Sequence, residues 1–517
     1  MKKSEKILHL LVIIFLAIQP IVDMDYLIYD FLDQFGLPRL STILRFVVVP
    51  ILLIFSFILR DQKKKRTFIA VGSYGVVLLA YFILHAKQAS GLVERLALTD
   101  NFYFSTFQEL TYVLTLVIPY FLIYLIYNEH FNQKELKLIT CILSASISVT
   151  ILFGDIFVFA KSTYYGYTVG NIFTWFNGIY DAYHPRTLAS KFFFNEGNTI
   201  GILLFMILPM LYYFFYQEKD SQKKKYLGIL IFVQSLAMQM LATRVATYGA
   251  VVIPALFLVV YLFTVFITKT EKFQKNICIV TILFACIFGL ILPMTPAIQN
   301  QKVDAVNDTA LLHNGMADLG KEELANADDL VPGSVEYINF YVYMFETYGI
   351  NARYIQSVPS MYYTEYYSYQ VDPKFWVDVT FMPVFDRVSG RQIETIFFNY
   401  KYQNLTSSEK LLGMGYSTFM NGSIVLEQDF KQQIYTLGYV GEVLCVLPWL
   451  FIICYGVLMF IKRAKKMFTL ENLVMAVSVG AGLGGAWLSG HMLDQFVTTT
   501  YLALLVAMLL KNVQEAK

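Results

Sequence analysis

Arg244 occupies a position where an arginine can bind a charged ligand. It lies in a short polar break, residues 241–248, between two long apolar runs. Burying a charge in hydrocarbon is costly, so an ionisable residue beside such runs is a candidate functional residue. Its planar guanidinium suits a phosphate group, which it can bind through two parallel hydrogen bonds. The structural alternative is that the side chain extends to lipid headgroups.

A second short break carries His491 and Asp494. Histidine exchanges protons near neutral pH, although a single histidine at such a boundary more often has a structural role. Asp155 lies inside another apolar run and is either a helix-packing partner or a proton relay. None of these residues alone indicates a specific reaction.

These residues are positioned by a chain that alternates apolar runs with short polar breaks. Apolar residues make up 57% and charged residues 15% of the sequence, whereas soluble domains have about 25% charged residues. A helix of about 20 apolar residues crosses the hydrocarbon core of a bilayer. The pattern therefore predicts an all-α polytopic membrane protein with about 12 spans. The predicted spans are residues 7–24, 42–59, 67–86, 108–127, 136–160, 199–216, 226–243, 246–268, 276–296, 434–461, 472–490 and 495–510.

The distribution of basic residues predicts the orientation of these spans. Lys and Arg cluster before the first span and on alternate breaks after it, at 2–6, 60–66, 219–225, 269–275 and 462–466. Such clusters mark cytoplasmic breaks, so both termini are predicted inside. We interpret the first run as a retained helix because no small-residue cleavage site follows it. The Lys, Phe, Ile and Tyr bias suggests a low-GC bacterium, which predicts a multi-pass protein of the bacterial cytoplasmic membrane.

One long polar insertion interrupts the pattern between spans nine and ten. It divides the chain into residues 1–296, an extracytoplasmic loop domain at 297–433, and residues 434–517. Between Gln301 and Phe430 there are 17 acidic and 8 basic residues, and ten tyrosines lie between positions 337 and 369. Tyrosines such as Tyr362 and Tyr366 suit stacking on sugar rings or a position at headgroup level. The alternative is an aromatic rim packed on the membrane surface.

Several classes of site are not indicated by the sequence. The five cysteines lie in apolar runs, which argues against disulfides or a cysteine-ligated metal in the insertion. The net charge of +2 gives no indication of nucleic-acid binding. No Walker or Rossmann motif is present, so no nucleotide cofactor is expected.

Four segments, taken in order, resemble the O-antigen ligase and Wzy-type polysaccharide polymerase superfamily. They are Arg186 to Asn198, Thr243-Arg244, Ser389-Gly-Arg391 followed by Leu-Leu-Gly-Met-Gly at 411–415, and Glu427-Gln-Asp429 followed by Leu-Gly-Tyr-Val-Gly at 437–441. The resemblance covers roughly residues 180–500, and the family's single large extracytoplasmic loop matches the insertion. Many ligases carry a histidine where this chain has Glu427 and Asp429. A histidine base is therefore not carried over.

The resemblance implies that a glycan moves from a polyprenyl-diphosphate carrier to an acceptor glycan or glycolipid at the outer face of the membrane. It implies that Arg244 and Arg391, with Arg186 third, bind the diphosphate leaving group and stabilise its charge. Glu427 or Asp429 is then the candidate general base for the acceptor hydroxyl.

Asn198, His491, Tyr362 and Tyr366 are further site candidates. A metal is not required on this interpretation, although carboxylate-bound Mg²⁺ at Glu427 and Asp429 stays open.

The same residues also have simpler interpretations. Glu427 and Asp429 could favour the N-terminus of span ten, and Arg391 could pair with Asp386 or Glu394 at the surface. Two other function classes are alternatives to the enzyme. A flippase or transporter would predict inverted repeats, which are not evident, and an envelope-assembly scaffold would make the arginines dispensable. Sequence does not separate polymerase from ligase, although we favour polymerase slightly, and it leaves the oligomeric state open.

Overall fold

The computed structural model describes residues 3–35, 39–60, 64–163, 189–301, 316–356, 358–387 and 389–515. A helix, or two consecutive helices, lies over each of the twelve predicted stretches. Within these described residues, eight helices are long and apolar enough to cross a membrane, and two bent pairs raise the number to ten. The prediction of an all-α polytopic membrane fold is thus confirmed. The count of twelve spans and the placement of the loop outside the membrane stay predictions.

The chain forms two compact units. The first comprises residues 1–72, 114–300 and 447–517, and the second comprises residues 73–113 and 301–446. The two units are defined by which residues pack together. The predicted segments 1–296, 297–433 and 434–517 instead divide the chain into membrane spans and a loop, and this division stays a prediction.

Thirteen helices lie wholly in the first unit as far as the structure describes it, together with one short strand pair. They are α1 (Lys3–Ala17), α2 (Gln19–Val22), α3 (Tyr29–Asp33), α4 (Leu40–Leu59), α7 (Gln133–Ile156), α8 (Gly197–Gln217), α9 (Ser221–Met240), α10 (Arg244–Phe266), α11 (Lys275–Ile291), α19 (Leu447–Lys462), α20 (Ala464–Met467) and α21 (Leu470–Leu488), followed by α22 (Phe496–Glu515). Strands β1 (Lys161–Ser162) and β2 (Ser190–Phe192) pair antiparallel.

Helix α8 forms the centre of the first unit. Nearly all of its most apolar stretch, 94%, is buried, as expected for a helix that is apolar on every face. Helix α21 packs closely against it because two glycines leave room for side chains of α8. A Cβ on Gly482 would lie 2.4 Å from the sulfur of Met206, and one on Gly485 would lie 2.8 Å from Ile202. Small residues at a helix interface allow such an approach in membrane proteins.

Two further helices, α5 (Lys64–Arg95) and α6 (Thr106–Glu129), each have residues in both units. The second unit adds short helices within the insertion and at its end. They are α12 (Met316–Leu324), α13 (Val335–Met344), α14 (Pro373–Phe381), α15 (Gly390–Gln403), α16 (Ser407–Leu412), α17 (Tyr416–Asn421) and α18 (Asp429–Cys445), with π-helical turns at Phe345–Asn351 and Tyr362–Tyr366.

An aromatic core holds the second unit together. Trp376, Tyr367 and Phe397 are almost fully buried within it. Of the ten clustered tyrosines, Tyr341, Tyr348, Tyr354, Tyr362 and Tyr367 are buried. These five tyrosines thus help to fill a core, a role different from the sugar stacking and the membrane rim that the sequence predicted.

Candidate functional site

Arg391 and Glu427 form an ion pair in the second unit. The Nε of Arg391 donates to a carboxylate oxygen of Glu427. Arg391 lies in the first turn of α15, which begins where the Ser389 backbone N–H donates to the Gln392 side chain at 3.1 Å. The two side chains are 43% and 31% exposed. An ion pair this exposed contributes only ~0–1 kcal/mol to stability. Because both side chains are partly exposed, both groups remain accessible to a ligand.

Asp429, two residues beyond Glu427, has a different environment. It lies in the first turn of α18 and is 1% exposed. A carboxylate in a first turn interacts favourably with the positive end of the helix dipole. Of the two predicted bases, Glu427 is the one that solvent and a large substrate can reach.

The Gly-Met-Gly turn at 413–415 is docked by its backbone onto α18. Met414 N–H donates to the Tyr435 carbonyl at 3.0 Å, and Gly415 N–H donates to the Thr436 carbonyl at 2.8 Å. Gly413 and Gly438 have φ of +84° and +70°, and Gly438 interrupts the helical geometry of α18. A Cβ on Gly413 would lie 2.3 Å from the Thr436 carbonyl. Only glycine fits here, which explains why these two motifs occur together.

A buried histidine–glutamate pair supports this turn from α5 and α6. His85 Nδ1 lies 2.6 Å from the Leu412 carbonyl, and its Nε2 lies 2.9 Å from Glu109 Oε1. Glu109 also accepts the backbone N–H groups of Tyr416 and Ser417 at 3.0 and 2.7 Å. The His85 ring therefore joins the Leu412 carbonyl to the Glu109 side chain, one through each nitrogen. Both side chains are fully buried.

Sequence reasoning missed His85 and Glu109. The signal was present, because both are ionisable residues at the ends of runs predicted to span the membrane. What the sequence did not provide was the partner of either residue.

Lys401 ties the other end of α15 to the aromatic core. Its Nζ donates to Tyr367 at 2.7 Å and to the Leu96 carbonyl at 3.0 Å, and it lies 3.9 Å from Asp372. Burial lowers the pKa of Lys401 to about 8, although the nearby Asp372 carboxylate opposes the shift. The helix that carries Arg391 is thus fixed at its far end.

In the first unit, Arg244 is the first residue of α10 and its side chain is exposed. The break before it is as short as predicted, since α9 ends at Met240. Thr163 of the first unit holds this break by donating to the Leu241 carbonyl at 2.9 Å. Among the described residues, Arg244 has no ion-pair partner, so its guanidinium remains available to a ligand.

Asn198 and His491 lie at the same end of the first unit as this break. Asn198 is the second residue of α8 and is partly buried. A Cβ on the preceding residue, Gly197, would lie 3.4 Å from the side chain of Thr243. The His491 carbonyl accepts a hydrogen bond from Thr199 at 3.0 Å, and its Nδ1 lies 3.0 Å from Asp494.

Two lysines of the strand pair add positive charge to the first unit. Lys161 Nζ lies 3.7 Å and Lys191 Nζ 5.5 Å from the ring centroid of Tyr26. Burial lowers the pKa of Lys191, and the Glu196 carboxylate opposes this shift. Sequence reasoning did not single out either lysine, although Lys191 lies inside the first motif of the resemblance.

The remaining predicted residues have different outcomes. Arg186 lies outside the described residues. Tyr362 is buried and donates to Glu394 at 2.7 Å, so Glu394 is engaged by a tyrosine rather than by Arg391. Tyr366 is partly exposed, and its ring meets that of Tyr362 edge to face at 5.4 Å. The roles assigned to all of these residues stay predictions.

Asp155 accepts the Ser190 backbone N–H at 2.7 Å and is fully buried. It therefore fastens strand β2 to the end of α7. This contact supports the packing interpretation over a proton relay.

The profile of a family described as "O-antigen ligase like membrane protein" matches residues 4–516. No curated protein and no solved structure matches this chain.

Proposed function

This chain belongs to the O-antigen ligase-like family of membrane proteins, and on that premise we propose that it transfers a polyprenyl-diphosphate-linked glycan to an acceptor at the outer face of the bacterial cytoplasmic membrane. The family itself points to glycan transfer in the membrane. The finer proposal depends chiefly on one observation: Arg391 and Glu427 form an ion pair whose side chains are both partly exposed.

The reaction assigns a separate task to each member of this pair. Glu427 accepts the proton of the acceptor hydroxyl, whose oxygen forms a bond to the anomeric carbon of the donor glycan. The bond from that carbon to the diphosphate oxygen breaks, and its electron pair leaves with the polyprenyl diphosphate. Arg391 stabilises the charge that develops on this leaving group. A phosphate-type leaving group is a stable anion, so its departure depends more on cationic stabilisation than on protonation.

Arg244 is proposed as a further diphosphate-binding residue, as the resemblance implies. Its guanidinium is exposed and has no ion-pair partner among the described residues, so binding an anion breaks no existing pair there. Arg186 is retained as the third arginine on the basis of the resemblance. Both termini are proposed to be cytoplasmic and the acceptor to be a growing glycan, which makes the protein a polymerase.

Deletion of the coding sequence, followed by analysis of lipid-linked and surface glycans, tests this function. We expect loss of surface polymer and accumulation of single repeat units on the polyprenyl carrier. Accumulation of long chains on the carrier would replace polymerase by ligase. Normal surface polymer together with normal lipid-linked pools would contradict glycan transfer, and lipid-linked glycan retained on the cytoplasmic side would favour a flippase.

A further inference from the structure

An open cleft of about 410 Å³ lies in the second unit, and none of the arginines considered above lines it. It is lined by Asp100, Asn101, Tyr103, Glu365, Tyr366, Asn421, Gly422 and Ser423. These residues come from the α5–α6 connection, the π-helical turn at 362–366, and the end of α17 with the loop that follows it. Three segments that are distant in sequence therefore form one concave surface, as ligand sites commonly do.

Hydrogen bonds hold the three walls of the cleft together. The Asn101 side chain donates to the Glu365 carbonyl at 2.8 Å. The Asn421 side chain donates to the Tyr103 carbonyl at 2.9 Å. Gly422 packs against the ring of Phe102, where a Cβ would lie only 2.3 Å from a ring carbon. The cleft is thus formed before any ligand arrives, which limits the conformational entropy lost on binding.

The chemistry of the lining suits a hydroxyl-rich ligand. The described lining residues include two carboxylates and no Lys or Arg, and neither Asp100 nor Glu365 has an ion-pair partner among the described residues. Carboxylates accept several hydrogen bonds and amides both donate and accept them, as the vicinal hydroxyls of a sugar require. Tyr103 is 56% exposed and offers a ring face for stacking. The negative lining disfavours phosphate groups.

The cleft is connected to the Arg391–Glu427 pair through Tyr362. The ring of Tyr366, in the cleft wall, meets that of Tyr362 at 5.4 Å. The hydroxyl of Tyr362 lies 2.9 Å from the position of a Cβ on Gly390, the residue before Arg391. On the other side, the loop that carries Ser423 leads within four residues to Glu427. The cleft and the ion pair therefore belong to one continuous part of the second unit.

We infer that this cleft binds the glycan portion of the acceptor and holds its terminal residues near Glu427. This inference rests on the proposed function, because it supplies the acceptor site that the transfer requires. It assigns Asp100, Tyr103 and Glu365 to sugar recognition and leaves the diphosphate to the arginines. The ligand is a neutral or amino-bearing sugar chain without phosphate.

Binding of oligosaccharides to the full-length protein in lipid nanodiscs tests this assignment. The probe is a mixture of oligosaccharides released by partial acid hydrolysis of the strain's own surface polymer, with binding measured by saturation-transfer NMR. Asp100→Ala and Tyr103→Ala should each weaken binding about tenfold, the size expected for loss of a charged hydrogen bond or an aromatic contact. Glu94→Ala and Tyr343→Ala are matched controls, because both side chains are exposed in the second unit and neither lines the cleft.

The inference predicts unchanged binding in both controls and no displacement of the oligosaccharide by inorganic pyrophosphate. It is overturned if the wild-type protein does not bind the probe, if the cleft variants bind like wild type, or if pyrophosphate competes. Unaltered thermal unfolding of the variants excludes misfolding as the cause of weaker binding. Failure of the transfer proposal is distinguishable, because arginine variants would then keep normal polymer while the cleft variants still lost oligosaccharide binding.

Discussion

Arg391 donates a hydrogen bond to Glu427 across 36 residues of sequence, and both side chains remain open to solvent. The pair unites a cation that suits a diphosphate with a carboxylate that suits a hydroxyl proton. A second contact joins the two segments that contain the pair, since the hydroxyl of Tyr435 in α18 donates to Asn399 in α15. The helix that carries Arg391 and the helix that follows Glu427 are therefore joined by a contact that does not involve either member of the pair.

Glu427→Gln tests the proposed base. The amide keeps the size of the side chain but cannot accept a proton at neutral pH, so we expect transfer to slow by about 10²–10⁴-fold. Donor binding should change little. A transfer assay with lipid-linked donor measures both quantities, and Glu336→Gln, an exposed glutamate of α13, is the matched control. Wild-type turnover in Glu427→Gln would exclude this carboxylate as the base.

His85→Ala tests the buried histidine–glutamate pair beneath the Gly-Met-Gly turn. The substitution leaves the buried Glu109 without its side-chain partner, and breaking a buried pair in this way should cost about 3–5 kcal/mol of stability. Replacing both residues by leucine should cost less than the two single leucine substitutions together, because no unpaired partner remains. Thermal unfolding of the detergent-solubilised protein measures each variant. Strict additivity would show that the two side chains do not depend on each other.

Gly413→Ala should be more harmful than Gly333→Ala. Both glycines have φ near +80°, at +84° and +82°, so an alanine at either position carries a conformational cost of ~1–2 kcal/mol. At Gly333 a Cβ would meet nothing within 4 Å, whereas at Gly413 it would collide with the backbone of α18. Thermal unfolding and surface polymer should both decline further in Gly413→Ala. Equal effects of the two substitutions would contradict the docking of this turn.

Sequence reasoning located the helices and the break before Arg244 because both depend on local pattern. Apolar runs of the right length predicted where helices occur, and α10 begins at Arg244 itself. The pairing of Arg391 with Glu427, and of His85 with Glu109, was not predictable. Ion pairs join segments that are distant in sequence, and no local periodicity encodes which carboxylate a given cation meets. For that reason the partners considered in the simpler interpretation of Arg391 were Asp386 and Glu394, its nearest acidic residues in the sequence.

The tyrosine cluster shows a second limit of local reasoning. Composition indicated that the insertion is rich in aromatic residues, but not that half of the clustered tyrosines fill its core. The cleft likewise depends on Asp100 and Tyr103, which precede the insertion by about two hundred residues in the sequence and reach it only through the fold. Burial is a property of the assembled unit, so the sequence pattern could not distinguish a buried tyrosine from a sugar-binding one.

Lys401 predicts a pH dependence of stability. Burial lowers its pKa to about 8 in the folded protein, whereas an exposed lysine titrates near ~10.4. Between these values the unfolded chain holds a proton that the folded protein has released, so stability rises with pH. The unfolding temperature of the wild type, relative to Lys401→Met, should therefore increase from pH 8 to about pH 9.5, below the ordinary tyrosine pKa. A constant difference across this range would contradict a neutral buried lysine.

Surface polymer in cells that carry Arg391→Ala tests the central claim most directly. The account predicts loss of polymer at unchanged protein abundance, with only partial recovery in Arg391→Lys because lysine lacks the planar fork. Arg353→Ala, an exposed arginine of the same unit, is the matched control and should keep normal polymer. Wild-type polymer in Arg391→Ala would contradict the proposal that this guanidinium stabilises the departing diphosphate.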